Sequence, residues 1–518
     1  MNLFSKQPRQ LAVPVLILCV LLSAGCGGAP DPDSIQVWTF LREFRKDPRR
    51  VLNTLPLVRD ARTGAVLRKA ADVPLNADPV LLRGHEAIRQ WAVGAEPAGR
   101  EKIAAGDYQR WTLRFTGVPP DKQIVNAMQI YKAGLSQHQL ATIPWSDSYW
   151  PTYKGHVARR YADNGYPDSK DWSANHAYAV GAPFWSLYQE GDPETVRRLS
   201  PAEKYDLLVG ARHGVTDWAW GQGQSLYDQS GKVPEWMGIC HGWSGAAHMG
   251  VAVSPRAVKA PSFDGHSTLE FFPSDIKALT SLLWANAPPS TRFLGTRCEA
   301  HGPAVDENGR IIDESCFDLN PGLWHLIVTH QLGLEDRGLV ADMTYDDEVW
   351  NYPVYGYRLT YFNPETHAVV PHPGGAIVSM ADFKSDWFTK YRSSAAKFAL
   401  GVAMDVLYTV EMSPHMGGQG APLVRDEMLV YDLELDQDLK ILGGEWYQNS
   451  HPDFAWTFGK GSEAVSAEDF GLTGDWDPTS SPLPASWQAA AGRLAPKGIP
   501  LASVIKHLVQ VGLSSPLP

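Results

Sequence analysis

The sequence is short of several things at once. Basic residues are in deficit: 46 Lys and Arg stand against 57 Asp and Glu, a net charge of −11. That argues against general nucleic-acid binding, which needs basic patches to grip phosphate. There is no HExxH motif, no paired CxxC and no Walker-type loop, so zincin, structural-zinc and P-loop chemistry have no support. "GWSGA" (Gly242–Ala246) is not a nucleophile elbow, because its second glycine follows the serine directly. "DENGRIIDE" (Asp306–Glu314) faintly resembles a calcium loop. It lacks the third alternating oxygen ligand and the closing glutamate, and so predicts an Asn-Gly turn. No metal and no cofactor are expected. Beyond the first 26 residues no run is long and apolar enough to cross a bilayer, and no internal repeat is visible. Cysteine is scarce too, with five in 518 residues.

What is present is a globular composition, 44% hydrophobic, 20% charged and 11% aromatic, with 19 tryptophans. The length predicts two or three units or one large elaborated core. The tryptophans fit large cores first and an aromatic cleft second. Residues 1–25 carry Lys6 and Arg9, an apolar run and small residues before Cys26, the pattern of an export signal. Their removal would make the net charge more negative by two. "LSAGC" (Leu22–Cys26) resembles the bacterial lipobox, which implies a lipidated Cys26 and anchoring to the bacterial cell envelope, more at the outer membrane or cell surface than the inner membrane. Residues 26–36 read as a Gly/Pro/Asp tether, 37–140 as a mixed, mainly helical region, 141–460 as the catalytic unit, and 461–518 as a Pro/Ser-rich tail with a terminal helix.

Three cysteines remain once Cys19 leaves with the signal and Cys26 is lipidated. Cys298 and Cys316 lie close in sequence around the "DENG" turn and form the natural disulfide in an oxidising compartment. Cys240 is then an odd thiol; its pairing with one of the other two is the competing arrangement.

Local signals place Cys240. Ser200, Pro201 and Glu203 form a capping box that starts a helix, and "DWAWGQGQSLYDQ" continues as a second. "PEWMGIC" is a turn that delivers Cys240 to the start of a helix of small residues. "PSDIKALTSLLWANA" (Pro273–Ala287) is another helix, with Ser274 as its expected N-cap. Then "GLWHLIVTHQLG" and "RGLVADMTYD" read as a hairpin, "YPVYGYRLTYFN" as a strand and "DEMLVYDLELDQDLKILGGEWYQ" as a further hairpin. The order of elements predicts an α+β fold: a cysteine-bearing helix packed on antiparallel strands.

A thiolate attacks carbonyl carbon, and a helix N-terminus, an imidazole and an orienting carboxylate help to make one. His241 and His248 point away from Cys240 on an ideal helix. His325 and His330 sit in the predicted strand and differ by an odd number, so only one faces the cysteine. Across the hairpin His325 meets Asp342 or Asp346, depending on where the turn centres. Trp236, Trp220 and Trp218 are alternatives for an indole oxyanion donor. Trp236, Trp243, Trp324 and Trp350 flank both motifs and either line a cleft or pack. "HPDF" (His451–Phe454) carries no chemistry and reads as a surface turn.

Five segments in order, "SPAEKYDLLVG", "GICHGW", "NPGLWHLIVTHQLG", "DMTYDDEVWNYPVYGY" and "GGEWYQNSHPDFAW", resemble the transglutaminase elicitor family over roughly residues 140–460. The resemblance implies a papain-like or transglutaminase-like core and a thiol acyltransferase that moves glutamine acyl groups to primary amines. It implies Cys240 as nucleophile, His325 as base and Asp342 as the acid of "D-x-T", with Thr344 present. Its partners would be a protein glutamine donor and a primary-amine acceptor. A hydrolase of the same fold (a peptidase or glutamine deamidase) and a non-catalytic binding lipoprotein are the alternatives.

Overall fold

A computed structural model describes residues 32–68, 107–296, 303–313, 316, 319–343 and 348–514. Cys26, Cys298, Thr344 and Asp346 lie outside the described residues. One antiparallel sheet dominates. Its main path uses β1 (Leu57–Asp60), β2 (Val66–Arg68), β3 (Thr291–Gly295), β4 (Leu339–Asp342), β5 (Asn351–Phe362), β6 (Phe398–Val410), β7 (Leu423–Leu435) and β9 (Phe454–Phe458), with β8 (Ile441–Trp446) paired to β7. The spatial order is β2-β1-β7-β6-β5-β4-β9-β3, within a twelve-stranded sheet among the described residues. β1 and β2, from the N-terminal region, therefore extend the same sheet as the strands of the predicted catalytic unit.

Both faces of this sheet are covered, and residue alternation along each strand sorts the two cores. On β4, Val340 joins one core while Leu339 and Ala341 join the other. On β9, Phe454, Trp456 and Phe458 join the first and Ala455 the second. The first core holds α2 (Pro201–Val209), α3 (Val215–Ser230), α4 (Cys240–His248) and α5 (Pro273–Asn286). The second holds α6 (Pro321–Val328). In the C-terminal region, Trp476 and Leu483, then α7 (Ala485–Leu494) and α8 (Ala502–Ser514), pack into the first core. The stretch expected as a tail thus contributes buried residues to the first core. No helix among the described residues is long and apolar enough to cross a membrane.

Several local expectations hold. The Ser200–Glu203 capping box is formed, with Pro201 at the first helical position. The "DENG" segment is a turn: Asp306 Oδ1 accepts from Asn308 N and Arg310 N, and Gly309 takes φ +88°.

Others need correction. "NPGLWHLIVTHQLG" is not a strand. Asn320 caps a helix by accepting from Gly322 N at 2.8 Å, Pro321 opens it, and Thr329–Leu334 continues it as a wider π-type turn. Every residue of α6 is buried, so the segment is apolar all round and carries no period that separates helix from strand. Helix α1 (Pro32–Lys46) also begins inside the expected tether. Ser274 does not cap α5. Its Oγ accepts from His415 N, while Asp275 takes the Phe272 N–H. "HPDF" is not a surface turn either. His451 and Asp453 are buried, and His451 stacks on Trp446 with centroids 4.8 Å apart at 9°.

Candidate active site

The loop before Cys240 is stitched to the segment Tyr149–Thr152. Ile239 N donates to Tyr149 O at 2.7 Å, and Thr152 N donates to Met237 O at 2.8 Å. Gly238 is required between them, since a Cβ there would stand 2.2 Å from Tyr149 O. α4 then lies against α5 so closely that a Cβ on Gly242 would meet Ser281 O at 2.1 Å. The small residues after Cys240 thus set a close helix crossing, and the crossing fixes where the sulfur sits.

Cys240 is the first residue of α4 and a free, buried thiol. Its Sγ lies 3.6 Å from Val349 O, to which the thiol donates, and 3.5 Å from Asn351 Nδ2, which donates to it. Asn351 is held in that orientation because its Oδ1 accepts from Trp456 Nε1 at 2.6 Å. Asp342 is the cross-strand partner of Asn351 and shares the face of Val340, the cysteine's side. Its Oδ1 accepts from Trp350 N at 3.1 Å. Burial pushes the Cys240 thiol up to about 11; the Asn351 hydrogen bonds oppose this, and the charges of Asp342 and Glu411 add to it. The resting thiol is therefore neutral.

His325 is on the other face. It belongs to α6, its neighbours Trp324 and Leu326 lie in the second core, and its Nδ1 is 2.8 Å from the Tyr431 hydroxyl. The expected hairpin pairing of His325 with Asp342 does not exist: β4 pairs with β5 and β9. His330 offers no substitute, as Nε2 accepts from Ile124 N at 3.0 Å and Nδ1 lies 2.7 Å from Leu326 O. The sheet brings Cys240 and Asp342 together and separates His325 from both.

The family model for transglutaminase elicitors matches residues 122–473, more than half of the chain. The chain belongs to the transglutaminase elicitor family. Among solved structures, the crystal structure of the GP42 transglutaminase from Phytophthora sojae matches with a TM-score of 0.47 and 21% identity, covering 70% of this chain and 94% of that chain. No curated protein matches.

Within this transglutaminase elicitor family chain, the indole candidates sit as follows. Trp236 is buried in the loop leading to Cys240. Trp220 lies over Gly155 and against Trp172 and His176, and Trp218 lies against His156 and Gly498. Trp243 and Trp324 are fully buried packing residues. Cys316 is disulfide-bonded, while its expected partner Cys298 lies outside the described residues. Asn351 and Trp456 were missed from sequence. Both stand inside the quoted motifs, and the one available signal was an amide at the start of a tyrosine-rich strand.

Proposed function

We propose that this chain is a thiol acyltransferase that acts on protein-bound glutamine, with Cys240 as the nucleophile. The observation that supports it best is a free thiol at the first residue of a helix, bonded by an amide that an indole holds in place. Helix-start N–H groups and the Asn351 amide are the donors for an oxyanion at this sulfur, in place of the indoles of Trp236 or Trp220. The sulfur bonds to the carboxamide carbon, the C–N bond breaks, and the thiol proton ends on the departing ammonia. An amine nitrogen then bonds to the acyl carbon, the C–S bond breaks, and an amine proton returns to sulfur. Asp342 is the acid assigned to this centre, and the base role expected of His325 is dropped. Water in place of the amine gives deamidation. Export and lipidation at Cys26 are part of the same proposal, which places the reaction at the cell envelope.

A non-catalytic binding role draws on the raised thiol pKa and on the separation of His325. Incorporation of a labelled primary amine into a glutamine-rich protein decides. Incorporation that falls to background in Cys240→Ala supports transfer, and ammonia release without incorporation supports the hydrolase. Identical behaviour of wild type and Cys240→Ala in both assays sinks catalysis.

A further inference from the structure

Where β5 begins and β6 ends, three aromatic rings and a carboxylate meet beside Cys240. Tyr149 and Trp350 stand edge to face with centroids 5.0 Å apart at 66°, and Trp350 stacks on Tyr352 at 6.5 Å and 15°. All three are half-buried. The set is fixed from outside: the Tyr149 hydroxyl donates to Glu235 O at 2.8 Å, and Trp350 Nε1 donates to Glu348 Oε2 at 2.9 Å. Glu411 directly follows the last residue of β6, and the next residue is pinned by Met412 N donating to Asp147 O at 2.8 Å.

Glu411 is the unusual member. Its Oε2 is buried and has no hydrogen-bond partner. The cation whose charge reaches it, Arg425, turns its Nη1 to the Val424 carbonyl at 3.2 Å. Tyr352 lies beside the carboxylate, where its hydrogen bonding opposes the upward push of burial, and the Cys240 thiol feels the carboxylate's charge. Leaving a buried carboxylate oxygen unpaired is expensive. Aromatic faces attract cations, and more so when desolvated. A single ligand satisfies both demands: an alkylammonium group, whose N–H bonds fill the carboxylate and whose charge and first methylenes lie against the rings.

We propose that Glu411, with Tyr149, Trp350 and Tyr352, forms an ammonium subsite beside Cys240 that receives the primary amine of the acyl acceptor, a lysine side chain or a small alkylamine. The attack on the thioester rests on the acyltransferase reading above; the binding of the ammonium does not. Bound R–NH3+ passes one proton to the Glu411 carboxylate. The neutral amine bonds to the acyl carbon, the C–S bond breaks, and a second amine proton goes to sulfur. Glu411 then releases its proton to solvent. Burial, which raises the Glu411 pKa, suits it to accept that proton.

Two experiments test this. In the first, n-pentylammonium and 1-pentanol are titrated into the wild-type protein and binding is read by calorimetry. The ammonium binds at least about tenfold more tightly, a charge-assisted difference, and Glu411→Gln erases the preference. Equal binding of the two probes, or a preference that persists in Glu411→Gln, overturns the subsite. In the second, the amine concentration that half-saturates incorporation rises about tenfold in Glu411→Gln, and Glu411→Asp recovers part of it. An unchanged half-saturating concentration overturns the assignment. Ammonium binding without any amine incorporation by wild type sinks the acyltransferase reading and leaves the subsite standing. Incorporation without charge preference sinks the subsite alone. If the variant does not fold, the two probes on wild type decide.

Discussion

The two faces of the central sheet make the instructive comparison. Each carries a short helix with a residue assigned to chemistry from sequence, Cys240 on one and His325 on the other. Around His325 the polar groups close on one another: its ring meets the Tyr431 hydroxyl, and burial pushes its pKa down to about 3. Around Cys240 one weakly bonded sulfur meets the Val349 carbonyl and the Asn351 amide of β5, which Trp456 of β9 holds and which pairs across the strands with Asp342 of β4. A thiol makes poor hydrogen bonds, so an amide fixed by an indole is an expensive way merely to fill space. The first arrangement is that of a packed core. The second is that of a site held ready.

The comparison can be broken by substitution. The largest effect is expected on the cysteine face from Gly242→Val, whose side chain meets the Ser281 carbonyl. Its loss of stability is roughly 3 kcal/mol or more, read as a shifted urea midpoint, and near-neutrality would disprove the tight α4–α5 crossing. His325→Gln comes next, at about 1–3 kcal/mol for disturbing a buried hydroxyl's partner. Its alkylation rate at Cys240 should match wild type, and a changed rate would reunite the two faces.

The same variant carries a pH signature. The folded His325 pKa lies below the ordinary 6.5, so below that pH the unfolded chain takes up a proton the fold refuses. Wild type loses this part of its stability progressively between pH 6.5 and about 3. His325→Gln lacks that slope, and urea midpoints at neutral and acid pH measure the difference. For the sulfur, alkylation should climb as pH rises toward about 11. Asn351→Ala should slow it by removing a donor to the thiolate, and Asp342→Asn should speed it by removing a nearby negative charge. Effects of the opposite sign would misplace both residues. The smallest change is Ser200→Ala, about 1 kcal/mol for a lost cap, with thiol reactivity unaltered.

Legibility followed the range of the signal. The Ser200 capping box, the turn before Cys240, the hairpin of β7 and β8 and the terminal helix α8 were all readable, because caps, turn residues and alternation act within a few neighbours. α6 was not readable as a helix, since full burial erases the polar stripe that marks a period. That one misreading removed the hairpin and with it the His325–Asp342 pairing. Asn351 and Trp456 were invisible as a pair, because 105 residues separate them and strand order alone brings them together.

Sequence alone determined the family motifs and the place of Cys240 at the first turn of a helix, because a Gly-containing turn and the small residues after it are local facts; that its thiol is free was settled by the structure. Tertiary structure alone decided which groups the thiol meets. Strand alternation turned Asp342 and Asn351 toward it, and the pairing of β9 with β4 brought up Trp456. The thickness of one sheet put His325 out of reach, because a side chain cannot pass through a layer of paired backbone.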